Sequence, residues 1–194
     1  YHVTNLSTFP INLSQSTFDG LAFSSATPEQ ILPFAGLIWD GIDNGTSGVA
    51  NLKTGYQFVD SEGKIQYGIN AATPGDVVMV GAGIFDEDVN INKPLTLKGA
   101  GAASTTIRGQ IGGDNATVRV AANNVTVDGF TITRVGNNPT DWNDAGLNSA
   151  GLAIQGTTLT GTIIQNNTFS GNRTGIDINN SSGHTIQYNA ITDN

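Results

Sequence analysis

Apolar and polar residues alternate in short runs through most of the chain, and near residue 194 the alternation repeats itself. Residues 162–172 read TIIQNNTFSGN and residues 184–194 read HTIQYNAITDN. Superposed, Ile164 falls on Ile186, Gln165 on Gln187, Asn167 on Asn189, Phe169 on Ile191 and Asn172 on Asn194, with the same offset each time. A further alternation, GIDIN at residues 175–179, lies between the copies. Period-two alternation is a strand signal. A unit this short cannot bury its own apolar face and must stack on its neighbours. Parallel stacking sets each residue over its counterpart one coil away. Ile and Phe at repeated registers then fill a bore. Asn at repeated registers, Asn167 with Asn189 and Asn172 with Asn194, suits bends, where an amide can bond to the next Asn and to backbone. The predicted fold class is all-β, a parallel β-helix with coils of about 22 residues.

The same reading extends upstream. Strands are predicted at residues 77–80, 89–91, 95–97, 105–108, 117–120, 125–127 and 130–132, with 77–80 the first buried strand and Met79 in the bore. Ile65, Ile69 and Ala72 recur at helical spacing before Pro74-Gly75, which predicts a short capping helix ahead of that strand. Val127 and Ile132 are spaced as Ile164 and Phe169 are, but the step from Val127 to Ile164 is much longer than one coil. The excess is assigned to an insertion at 135–150, VGNNPTDWNDAGLNSA. Residues 1–60 carry no repeat. They contain short strand candidates at 1–6, 9–13 and 21–23 and the most apolar run of the chain, residues 31–39, broken by Pro33 and Gly36. This divides the chain into an N-terminal cap or assembly segment (1–60) and a β-helix (61–194). The first covers the open end of the solenoid, or else offers an assembly surface or exchanged strand. No cap follows Ile191, so further coils past residue 194 or a neighbouring subunit are expected to cover that end.

The residues carry a resemblance. The pattern Asn189-Ala-Ile191-Thr-Asp-Asn194 is similar to that of right-handed parallel β-helix repeat proteins, the pectin-lyase-like superfamily, and within it resembles the NosD-like and bacterial surface group. Residues 63–91 and 93–101 look like the entry to such helices: capping helix, Pro-Gly-Asp, first strand, then a turn in which Phe85 stands where Tyr is usual. The resemblance implies a right-handed, single-stranded solenoid and an extracellular or cell-surface location, with the periplasm as the alternative. It does not imply one activity, since the superfold hosts lyases, hydrolases, esterases and non-enzymes.

Composition narrows the partners. Charged residues make up 12% of the 194, there are 25 Gly, and the formal net charge is −8. No basic cluster exists among eight Lys and Arg, which argues against nucleic acid and anionic membranes. No apolar run is long enough to span a bilayer, and without Cys there is no disulfide.

Candidate chemistry concentrates in the insertion. Asn137, Asp141, Trp142, Asn143 and Asp144 could contact a glycan, Trp142 stacking on a sugar ring while amides and carboxylates take hydroxyls. Asp141 and Asp144 could instead hold Ca²⁺, or the whole stretch could be turns with Trp142 folded back. Asp40 and Asp43 are oxygen donors in a glycine-rich stretch, for Ca²⁺ or for turn chemistry. No other cofactor is implied. Asp177 has Ala153 as its counterpart one coil earlier, and Asp128 has Gln165 and Gln187, so no carboxylate pair suited to glycoside hydrolysis is set up. Copper binding of the NosD kind would need clustered His, Met or Cys, and the chain has two His and one Met. His184 takes the register of Thr162 and reads as a solvated strand edge, and 86–88 (DED) as a solvated turn. Two functions follow. One is a non-enzymatic structural or adhesive module of a cell surface, self-associating end-on and contacting polysaccharide through 135–150. The other is a polysaccharide lyase or glycoside hydrolase whose catalytic coils lie outside this chain.

Overall fold

From residue 56 onward the alternating runs become strands of three parallel sheets wound into a β-helix. The computed structural model describes residues 1–110, 116–136, 144 and 149–194. A six-stranded sheet stacks Tyr56–Val59, Val77–Val80, Thr96–Gly99, Thr126–Asp128, Ile163–Gln165 and Thr185–Gln187. A five-stranded sheet stacks Gly83–Phe85, Thr105–Gly109, Thr131–Arg134, Thr168–Phe169 and Ala190–Ile191. The four-stranded sheet stacks Val89–Ile91, Ala116–Val120, Ala150–Gln155 and Thr174–Asn179. The stack starts one strand earlier than the sequence pattern predicts, at Tyr56–Val59.

The register is the one the spacing predicts. Val127 pairs with Ile164 and Ile164 with Ile186; Ile132 pairs with Phe169 and Phe169 with Ile191. Phe169 and Ile176 are separated by one short bend, whereas their partners in the preceding coil, Ile132 and Leu152, lie far apart along the chain. Most of the extra length therefore falls between the strands that end at Arg134 and begin at Ala150. Inward-facing columns such as Leu97, Val127 and Ile164, or Ile107, Ile132 and Phe169, are fully buried. Each such side chain contributes about 1.5–3 kcal/mol relative to exposure. In the last coil the columns open: Ile186 is 43% and Ile191 53% exposed.

The bends explain the Asn positions. Between the six- and five-stranded sheets the chain passes through a left-handed residue, Gly129, Asn166 or Tyr188 in successive coils (φ 83°, 55° and 56°). The following residue in the last two coils is Asn. Asn167, 2% exposed, accepts from Phe130 N–H (3.0 Å) and donates to Val127 C=O (3.0 Å). Asn189 repeats this one coil on, accepting from Asn167 N–H (2.9 Å) and donating to Ile164 C=O (2.8 Å). At the next bend Asn172, fully buried, donates to Ile132 C=O and Ser170 C=O (both 3.1 Å) and to Asn194 Oδ1 (2.9 Å). Asn194 in turn donates to Phe169 C=O (2.9 Å). Bends expose backbone groups that a sheet would pair, and these amides satisfy them inside the wall.

The N-terminal mouth is filled by the helix Ile65–Ala71, with Ile65 and Ile69 buried in the bore cluster beside Ile42. Its ends are held by the next coil. The Glu87 carboxylate accepts from Ile65 N–H (2.9 Å) and Gln66 N–H (3.0 Å), while Lys93 donates to Asn70 C=O (3.2 Å) and Ala72 C=O (2.9 Å). Carboxylate at the N-terminus and ammonium at the C-terminus match the orphan groups and dipole of a helix.

The segment before residue 54 lies mainly along the flank. Phe23, Ile31, Ala35, Ile38, Ala50 and Leu52 pack on Phe58 and Met79. Val78 and Val80 face the bore, so Met79 faces outward under this segment, and its expected place in the bore is corrected. Strand parity decides this, because neighbouring residues point to opposite faces. The apolar run at 31–39 turns inward through Pro28–Ile31 and Leu32–Leu37, with Ile31 fully buried. Among the described residues no helix is long and apolar enough to cross a membrane.

Candidate functional site

Residues 135–150 follow the strand that ends at Arg134 and reach the strand that begins at Ala150. Asn137, Asp141, Trp142 and Asn143 lie outside the described residues, and Asp144 is exposed. Arg134 is 5% exposed, its Nη1 donates to Thr117 Oγ1 (3.3 Å), and Asp88 Oδ1 stands 3.9 Å away. Burial lowers the pKa of the guanidinium and the nearby Asp88 charge raises it in part. A buried cation beside a half-covered carboxylate thus ties the end of this strand to the neighbouring coil. Sequence spacing does not reveal this role for Arg134.

Three carboxylates on the outer wall, those of Asp128, Asp177 and Asp86, are engaged with amides or guanidinium. Asp128 accepts from Gln165 Nε2 (3.1 Å) and Asn166 Nδ2 (2.8 Å), and Gln187 Nε2 extends the row to Gln165 Oε1 (2.9 Å). Asp177 accepts from Gln155 Nε2 (3.2 Å). Asp86 forms a two-pronged pair with Arg108 (2.6 and 2.8 Å), which holds its carboxyl below the usual range. The acidic run at 86–88 is thus not a merely solvated turn. Asp86 pairs with Arg108, Glu87 caps the helix, and Asp88 neighbours Arg134. His184 is half-buried and its Nδ1 accepts from Thr162 N–H (3.3 Å), so it too differs from a solvated edge.

Asp40 and Asp43 sit at the start of the helical turn Gly41–Asn44. Asp40 accepts from Ile42 N–H and Ala50 N–H, and Asp43 from Asp40 N–H (2.7 Å), the reciprocal capping arrangement. Burial raises both carboxyls, Asp43 to about 6, where the neighbouring charges of Asp60, Asp40 and Glu62 add to the rise. Asp40, Asp43 and Asp60 line one small cavity, and Asp60 accepts from Glu62 N–H and Gly63 N–H. Tyr1 donates to Glu62 (2.6 Å), and this bond pushes its hydroxyl up to about 12. Among the described residues no group of three or more His, Asp or Glu is arranged to hold a metal ion.

A shallow polar groove also runs between the N-terminal segment and the first coils, lined by Asn12, Ser14, Lys53, Tyr56, Gln57 and Asp76. Its walls come from three separated stretches, so no local sequence pattern announces it.

Against this geometry, the chain is 37% identical over 90 residues to a cell surface glycoprotein of Methanothermus fervidus. The match takes in 45% of this chain and 14% of that protein. No family model matches.

Proposed function

We propose that this chain is a structural module of a cell surface, a β-helical spacer without catalytic duty. The observation that carries this reading is the 37% identity to a protein named as a cell surface glycoprotein. The wall supports it. The outward carboxylates Asp128, Asp177 and Asp86 are tied to amides or to Arg108, and none of the three pairs with another acid. A hydrolytic site of this kind needs two carboxylates flanking the bond to be cleaved.

Two finer assignments belong to the proposal. Residues 135–150 contact glycan, supported by Trp142 among Asn and Asp. Copies of the chain associate end-on, supported by the exposed Ile178, Ile186 and Ile191. The test of the main reading is labelling of intact producing cells with a membrane-impermeant amine reagent. Modification of the exposed Lys64 on intact cells is expected, and protection until lysis would overturn it. A Trp142→Ala change is expected to abolish retention on a polysaccharide column without altering the circular dichroism, and unchanged retention would remove the glycan assignment.

A further inference from the structure

The fold sorts the chain's N-glycan acceptor triplets. Asn-x-Ser/Thr occurs at Asn5, Asn12, Asn44, Asn115, Asn124, Asn166, Asn172, Asn179 and Asn180. A usable acceptor needs its amide in solvent, its Nδ2 uncommitted, and a tripeptide that a transferase can grip. Asn115 lies outside the described residues. Asn5 is 5% exposed and donates to Phe9 C=O and Gly48 C=O, and Asn172 is fully buried in the bend described above. Asn166 is exposed, but its Nδ2 is bonded to Asp128 (2.8 Å). Asn44 is half-buried, with its amide folded onto Thr46 and Ser47.

Four remain, and backbone pairing separates them. The Asn124 triplet runs straight into Val125, fully buried, and Thr126, whose N–H bonds to Leu95 C=O. The Asn12 triplet is fixed by strand pairing with Asn51 and by Leu13 N–H to Asn51 C=O. Asn179 is paired with Gln155, and the hydroxyl its triplet needs, Ser181 Oγ, is buried. Asn180 shares its exposure with the other three and its left-handed backbone with Asn124 (φ 54°), and differs from them in its hydroxyl and its lack of strand pairing. It is exposed, it stands at a left-handed bend (φ 56°) just past its strand, and Ser182, which supplies its hydroxyl, is exposed. The triplet is held by one long bond, Ser182 N–H to Leu159 C=O (3.3 Å). Beside it a shallow groove is lined by Thr157, Thr158 and Thr160, hydroxyls on which a first sugar can rest.

We infer that Asn180 is the preferred N-glycan acceptor of the folded chain. The inference concerns export and so rests on the surface reading above. The donor is a polyprenyl-phosphate-linked oligosaccharide. The C1–O bond to phosphate breaks, C1 bonds to Asn180 Nδ2, one amide hydrogen leaves as a proton, and the lipid phosphate departs with the bonding pair.

The experiment is secretion of the full chain from a host with an N-glycosylation pathway. Amidase release in heavy-oxygen water then marks each occupied Asn as labelled Asp for peptide mass mapping. Asn180 is expected to be the most occupied position, with Asn5 and Asn172 unoccupied in the folded, monodisperse fraction. Ser182→Ala, which leaves the bend residue untouched, is expected to remove that glycan with no shift in unfolding temperature; Asn180→Gln gives the same loss if it folds. Folded protein that is glycosylated elsewhere and bare at Asn180, or that is secreted with no glycan, overturns the inference. The host supplies export, so a bare Asn180 there is a failure of the acceptor site alone, while protection on native cells is a failure of the surface reading.

Discussion

Two bend residues show how one side chain sets the shape of a coil. Asn172 supplies amide hydrogens to Ile132 and Ser170 carbonyls and to Asn194, with no solvent to replace them. Asn172→Ala is expected to cost about 2–3 kcal/mol, because buried acceptors lose their donor. Calorimetry should then show a fall of about 5–10 °C in unfolding temperature for a domain of this size. Tyr188 is the opposite case: it occupies the same left-handed position as Gly129 and Asn166, yet its ring is 80% exposed. A bulky residue at positive φ is strained by about 1 kcal/mol where Asn is tolerated. Tyr188→Asn should therefore slow amide exchange about two- to fivefold at Ala190 and Thr192, whose N–H groups bond to Asn167 and Phe169 carbonyls.

At the scale of elements, the capping helix was legible and its anchors were not. Ile65, Ile69 and Ala72 announce a one-sided helix by their spacing, and all three are buried in the bore. Glu87 gives no such sign, because its partners, the Ile65 and Gln66 amides, lie one coil earlier and carry no side-chain signature. Removing it by Glu87→Ala leaves two helix N–H groups without an acceptor. A loss of about 1–2 kcal/mol in urea unfolding is expected, with the slope of the transition unchanged. Met79 was misread for a related reason. Alternation tells which residues share a face, and the choice of face depended on an N-terminal segment whose packing has no period.

Across the whole molecule, pH acts through the acids beneath that segment. Asp43 faces Asp40, Asp60 and Glu62, and burial first, with these charges, raises it to about 6. The folded state thus holds that proton more tightly than the unfolded chain, whose carboxyl titrates near its ordinary 3.8. Stability missing at neutral pH is recovered as pH falls from about 6 toward 4, and Asp40 and Glu87, raised by burial, act with the same sign. Asp43→Asn keeps an oxygen for the Asp40 N–H and should flatten this rise; an unfolding temperature as pH-dependent as in the parent would refute the assignment. The fold itself was legible from one repeat, because parallel pairing makes sequence offset equal spatial register. The candidate site was less so: an insertion can be located by subtraction, but nothing in its residues fixes how they sit. The same subtraction has a further meaning. Successive steps along the six-stranded sheet, from Gln57 through Val78, Leu97, Val127 and Ile164 to Ile186, use very different lengths of chain. The step from Val127 to Ile164 takes nearly twice the chain of the step from Val78 to Leu97. Each step nevertheless rises by the same strand spacing of about 4.8 Å, roughly 24 Å in all. The molecule is therefore a ruler graduated in coils, and lengthening the chain between two strands leaves the spacing of the graduations unchanged.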